Sequence, residues 1–376
     1  MPVDALTLAE RLIRFPSVSS QSNADIADFA AELLRGLGCR IERTEYENPP
    51  GTVKVNVVGK LGEGTGGLAY FGHLDVVPAE SWTGPGGDPF GPVVENGRLY
   101  GRGACDMKGS VAAFLAAVAG FDAPLKAPVY IALTADEEVN MRGAEHLAAH
   151  SAMFREMVAQ ETAAIIGEPT RLRVVYAHKG GAGFEVVAHG RAAHSSTDHG
   201  INANWAMVPF LVELKRLYER TRTDPKWLND EFDPPHISLN VTLCDHNPAI
   251  NITPEKSVCR AMFRPMPGQN PNELLDEVRA LAERMGLSFE PLPSASPVYI
   301  DPADPFVREA LAITQTDRPL TVSYGTDGAR LTALKRMLVL GPGDIAQAHT
   351  ADEWIELEQL EAGVRVYREF IRRFCT

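Results

Sequence analysis

The chain has 376 residues, 45% of them hydrophobic and 23% charged, enough apolar content for two separate cores and an ordinary balance for a globular enzyme. Its formal net charge of -13 excludes nucleic acid or an anionic membrane as the main partner, because both need a basic footprint. Five cysteines, Cys39, Cys105, Cys244, Cys259 and Cys375, have no paired spacing, so no disulfide framework is expected. With no signal-like N-terminus and no run of membrane-spanning length, a cytoplasmic protein is expected.

In chain order, Asp25 to Leu37 carries Ile26, Phe29, Ala30, Leu33, Leu34 and Leu37 at helical spacing and stops at Gly38. Strands are predicted near 40–46, 53–58, 68–77, 128–134 and 163–167, interleaved with helices near 108–120 and 143–157, as in a central α/β sheet. From Gly180 the order becomes strand (Gly183 to Ala188), helix (Asn202 to Arg220), strand (Ile237 to Leu243), strand (Ser257 to Phe263), helix (Pro271 to Met285) and strand (Leu287 to Pro291). That is the ferredoxin-like α+β order, and it reads as a lid inserted into the α/β domain. The expected division is 1–179 and 294–376 for the catalytic domain and 180–293 for the lid, with linkers at Lys179-Gly-Gly181 and Pro291 to Pro297. A last helix places Leu357, Leu360, Val364, Tyr367, Ile371 and Phe374 on one face as core packing. There is no internal repeat or low-complexity tract.

Ligand-type side chains recur at or just past the ends of the apolar runs: His73, Asp106, Glu137 with Glu138, Glu168 and His349. In Leu68-Ala-Tyr-Phe-Gly-His73-Leu-Asp75, alternation puts His73 and Asp75 on one face, suiting a metal ligand and the carboxylate that orients it. Alone, the pair also fits a strand-end histidine beside a solvated aspartate. Asp106 lies in a glycine-flanked turn before the Ala-rich segment from Ser110, where a helix-start aspartate is the plain alternative. Gly101-Arg-Gly103 and Gly62-Glu-Gly64-Thr-Gly66-Gly67 lack the phosphate-loop pattern and read as turns. Glu137 and Glu138 repel each other, which suits one ligand beside one free general base and equally a solvated acidic turn. Cys105 reads as a small buried residue.

One shared centre accounts for all of these ends at once. Two histidines with three or more carboxylates are too oxygen-rich for structural zinc and suit two divalent ions, Zn²⁺ first and Co²⁺ or Mn²⁺ as alternatives, bridged by a carboxylate.

The stretches Gly72-His-Leu-Asp-Val-Val-Pro78, Gly103-Ala-Cys-Asp-Met-Lys-Gly109, Thr134-Ala-Asp-Glu-Glu138, Ile166-Gly-Glu-Pro-Thr170, Ala177-His-Lys-Gly180 and Ala193-His-Ser-Ser196 together resemble the M20 family of dinuclear zinc amidohydrolases. They follow the family's order over nearly the whole chain. The resemblance implies that Asp106 bridges two metals, with His73 and Glu168 completing one site and Glu138 and His349 the other. It also implies that Glu137 is the general base, that Asp75 orients His73, and that His194 helps to stabilise the reacting carbonyl. A homodimer through the lid and a cis peptide after Asp106 are implied as well. Glu168 tilts toward the deacylases of the family rather than its peptidases.

Three segments, Asn251 through Gly268, Ile165 to Thr170 with His178 to Gly180, and Leu340 to His349, are most similar to the acetylornithine deacetylase branch, which implies a small N-acyl amino acid as substrate. In that branch's pattern Arg264 grips the substrate carboxylate beside Asn251, with Gly325 and Thr326 as further contacts. The loop Tyr324-Gly-Thr-Asp-Gly-Ala-Arg330 is closer to the succinyl-diaminopimelate desuccinylase pattern, leaving that activity as the alternative. A dipeptidase and a non-catalytic binding paralogue are weaker alternatives.

Overall fold

A computed structural model describes residues 4–376. Leu68–His73 and Val129–Thr134 are buried along their whole length, as apolar strands covered on both faces must be. They pair in parallel with His73 opposite Thr134, and Ala163–Ile166 runs parallel on the other side of Leu68–His73. Met337–Val339 continues the parallel set beside Ala163–Ile166. Parallel pairing brings these C-terminal ends to one edge, which is where open α/β sheets place ligands.

The nine-stranded mixed sheet has the order Arg40–Glu47, Val53–Leu61, Val129–Thr134, Leu68–His73, Ala163–Ile166, Met337–Val339, Val175–His178 and Val298–Tyr299, with Leu320–Val322 pairing Val175–His178. Helix Lys108–Ala119 lies beneath the site with eleven buried residues; its alanine-rich sequence lets neighbours approach from every side. There Tyr70 stacks on Phe114 at 4.2 Å, and the Ser110 hydroxyl sits between the hydroxyls of Tyr70 (2.9 Å) and Tyr367 (2.8 Å). On the last helix, Leu357–Cys375, the buried stripe is Leu360, Gly363, Tyr367, Phe370 and Ile371, while Leu357, Val364 and Phe374 are half-buried.

The helix expected over 143–157 is two helices, Arg142–His150 and Ala152–Ala159. Ser151 takes an extended conformation between them and caps the second by accepting from the Phe154 amide, and Glu42 from a distant strand accepts the amides of Ala152 and Met153. Three short strands, Val93–Glu95, Arg98–Tyr100 and Trp354–Glu356, form a separate sheet that no periodicity in such brief segments announces. The peptide between Asp106 and Met107 is cis.

The chain divides into two compact units, one made of residues up to Ala177 with Val298–Leu320 and Thr326–Thr376, the other of His178–Pro297 with Thr321–Gly325. The second holds a four-stranded sheet in the order Ser238–Cys244, Lys256–Arg264, Gly181–His189 and Ser288–Ala295, with helices Ala203–Thr221 and Pro271–Arg284. Its own core contains Phe184, Val186, Phe210, Leu214, Phe263 and Val278.

Candidate metal centre

His73 closes its strand with a buried ring whose Nδ1 lies 2.9 Å from the main-chain carbonyl of Asp75. A carbonyl only accepts, so Nδ1 carries hydrogen and Nε2 presents its lone pair to the site. The Asp75 carboxylate was the expected orienter, but it stands 3.7 Å from Nδ1. It instead accepts the amides of Glu137 (3.1 Å) and Glu138 (3.3 Å) and the Ser19 hydroxyl (2.7 Å).

The two oxygens of Asp106 address different histidines. Oδ1 is 3.0 Å from His73 Nε2, which is 3.9 Å from Glu168 Oε1; Oδ2 is 3.4 Å from His349 Nε2, which is 2.9 Å from Glu138 Oε2. Ligands held ~2.0–2.2 Å from a tetrahedral zinc are separated by roughly 3.3–3.5 Å, so these spacings bracket the edges of two coordination shells that share Asp106. His73, Asp106 and Glu138 each offer a ligand atom within 4.8 Å of the others.

The turn bearing Asp106 is shaped by a residue the sequence reading passed over. Glu353, buried to 1% exposure, accepts the amides of Cys105 (2.8 Å) and Asp106 (2.9 Å) on Oε1, and the Gly103 amide (2.9 Å) and Arg102 guanidinium (2.8 Å) on Oε2. The Glu next to Asp352, just after His349, looks in sequence like part of a solvated acidic pair. Asp327 was also missed. It is buried, accepts from the Thr134 hydroxyl at 2.5 Å, and is pushed up to about 7 mainly by burial.

The electrostatics of the pocket suit a cation. Burial and the charge of Glu168 push Glu137 well above the usual carboxylate range, and burial with the charge of Asp106 does the same to Glu168. Burial would also raise Asp106, but its hydrogen bonds with His349 and His73 hold it below the ordinary value. Contacts with Asp106 and Glu138 push His349 up to about 10. Asp106, Glu137, Glu138, Glu168 and Asp327 outnumber the two histidines, and a mixed carboxylate and imidazole donor set with surplus negative charge fits divalent cations.

The remaining expected site residues are placed as follows. Thr326 lies in the larger unit and accepts the Gly328 amide at 3.1 Å, capping the short turn Asp327–Arg330. Gly325, His194, Asn251 and Arg264 belong to the smaller unit. There the Nδ1 of His194 accepts the Ser196 amide at 3.2 Å and sits 2.7 Å from its hydroxyl, which leaves Nε2–H as a donor. The Asn251 carbonyl accepts the Ser195 amide at 3.0 Å, and Arg264 ends the strand Lys256–Arg264.

The profile of peptidase family M20/M25/M40 matches residues 69–373. The acetylornithine deacetylase of Proteus mirabilis (strain HI4320) is 34% identical, covering 98% of this chain and 96% of its own length, and that of Myxococcus xanthus is also 34% identical, covering 100% and 98%. An M20 family metallo-carboxypeptidase from Sulfolobus solfataricus has the same fold, with a TM-score of 0.78 at 17% identity and 98% and 99% of the two chains covered. By profile and by full-length relatives alike, the chain belongs to peptidase family M20/M25/M40.

Proposed function

We propose that this protein hydrolyses the amide bond of an N-acyl amino acid, with N-acetylornithine, giving ornithine and acetate, as its substrate. The observation that carries the reading is the division of Asp106 between two histidine-carboxylate sets; full-length relatives named acetylornithine deacetylase support the choice of substrate. In this reading His73 and Glu168 would hold one divalent cation and His349 and Glu138 the other, with Asp106 shared between them, Zn²⁺ first and Co²⁺ or Mn²⁺ as alternatives. When bound, such ions polarise the scissile carbonyl and lower the pKa of water from 15.7 toward ~7.

The chain's own residues manage the proton and the substrate. Glu137 takes the proton from the attacking water and delivers it to the leaving nitrogen. Burial and the charge of Glu168 raise its affinity for a proton, the direction that favours a carboxylate that both takes up and delivers one. His194, through Nε2–H, donates to the developing oxyanion. Arg264 and Asn251 hold the substrate carboxylate, with Gly325 and Thr326 as further contacts.

The segment 180–293 serves as lid and dimerisation domain in a cytoplasmic homodimer. Its helix Ala203–Thr221 exposes Trp205 (74%), Val208 and Val212, and its edge strand Ser238–Cys244 exposes Leu243, an apolar surface suited to a second copy. Among the described residues no helix is long and apolar enough to cross a membrane.

A zinc-loaded panel of N-acyl amino acids tests the substrate, with highest kcat/KM expected on N-acetylornithine. A higher value on N-succinyl-diaminopimelate would transfer the assignment to the desuccinylase that the Tyr324 to Arg330 loop resembles. Glu137→Gln is expected to keep its metal and lose ~10² to 10⁴-fold in kcat.

A further inference from the structure

Next to the Glu137-Glu138 turn in sequence lies a fully buried ion pair outside the proposed metal-ligand set. Lys54 Nζ is 2.6 Å from Asp136 Oδ1, and neither side chain has exposed surface. Lys54 also donates to the carbonyls of Ser19 (2.6 Å) and Gln21 (2.7 Å). On its other oxygen, Asp136 accepts the Tyr46 hydroxyl (3.0 Å) and the Asn48 side-chain amide (2.8 Å).

These contacts close a ring around the proposed base. Asp136 sits at φ +56, a left-handed conformation costing ~1–2 kcal/mol for most L-residues, and leads directly into Glu137. The amides of Glu137 and Glu138 donate to Asp75, Asp75 accepts the Ser19 hydroxyl, and the Ser19 carbonyl accepts from Lys54. The path Lys54, Asp136, Glu137, Asp75, Ser19 thus returns to its start through one covalent step and otherwise polar contacts. A buried pair contributes little net stability compared with apolar residues of similar volume, so its value here is geometric.

We propose that Lys54 is a positioning residue for the reaction. By neutralising Asp136 in its left-handed turn and bracing Ser19, it fixes where the Glu137 carboxylate stands relative to the bound substrate. This rests on the assignment of Glu137 as the base.

The test is the double variant Lys54→Met with Asp136→Asn, which removes both charges while Asn still tolerates the left-handed turn. The expected result is a folded protein with unchanged metal content, KM within about twofold and kcat lowered ~10- to 100-fold, the scale of an ångström-sized misplacement. A folded, metal-loaded double variant with wild-type kcat, or one that changes KM alone, overturns the proposal. Should that variant not fold, Ser19→Ala decides, because it opens the ring and leaves the ion pair in place: lowered kcat at constant KM supports the proposal, and unchanged kcat overturns it. Glu137→Gln is measured in parallel. Wild-type turnover there removes the base assignment itself, whereas an inactive Glu137→Gln beside a fully active double variant removes only the role of Lys54.

Discussion

Two regions of the larger unit, one residue apart in sequence, bury carboxylates in opposite ways. Asp136 meets a lysine of equal and opposite charge and has its other oxygen occupied by two donors, so the pair is electrically complete within the chain. Glu137, Glu138, Glu168 and Asp106 share two histidines, and several of them raise one another's proton affinity. One region is balanced within the fold; the other carries surplus negative charge. A buried carboxylate is therefore informative through its missing counter-charge rather than through burial alone.

Removing divalent metal breaks this contrast most severely. Activity should be abolished by chelation and restored by zinc, as read by amide turnover. The same treatment should make stability depend on pH in a definite sense. Glu137 and Glu168 are raised above 4.5, and His349 is raised from 6.5 to about 10, so each binds its proton more tightly folded than unfolded. Their stabilisation is fully present below the unfolded values and is lost as pH rises through the folded ones. The Tm of the metal-free protein should fall as pH climbs from about 6 to about 9, and that of the zinc-loaded protein much less. Asp106, with a lowered pKa, acts in the opposite sense and only below its ordinary 3.8. A metal-free Tm that rises over this range would contradict the charge arrangement.

The completed pair should be costly to break from one side. Lys54→Met leaves Asp136 buried without its cation and is expected to lose ~3–5 kcal/mol in urea unfolding. Adding Asp136→Asn should recover most of that loss. Full additivity of the two changes would show that the residues do not act as a pair.

Glu353 is a third buried acid, and it accepts the backbone amides of the turn that bears Asp106. Glu353→Gln should weaken metal binding by ~10- to 100-fold in a chelator competition, with the fold retained. Unchanged affinity would mean that the turn holds Asp106 without it. The smallest effect belongs to a solvated carboxylate: Glu277 pairs with Arg220 at the surface of the smaller unit, both side chains about half exposed. Glu277→Gln should cost at most ~1 kcal/mol by the same unfolding measurement, and a larger loss would erase the distinction between buried and exposed acids.

Much of the architecture was legible in the chain because it depends on local pattern. The apolar runs at Leu68, Val129 and Ala163 identify their own strands, and the change of order after Gly180 marks the smaller sheet-and-helix unit. The Ser151 break escaped notice because Glu42, more than a hundred residues earlier, helps to cap the second helix. The three-stranded sheet escaped because three-residue strands carry almost no periodicity. Glu353, Asp327 and Lys54 were equally opaque. In sequence each is an ordinary charged residue, and only burial beside a particular amide, hydroxyl or carboxylate gives it meaning.

By itself the sequence determined the chemical inventory: which residues can ligate, that they follow apolar strands, and that the chain contains two kinds of domain order. These are properties of side-chain type and of periods two to four residues long. Tertiary structure alone decided that parallel strands end at one edge, that each oxygen of Asp106 faces its own histidine, and that the carbonyl of Asp75 rather than its carboxylate holds the His73 ring. The reason is distance. Coordination and hydrogen bonding act over about 3 Å between groups tens to hundreds of residues apart, and no local pattern encodes a separation that only the packed sheet sets.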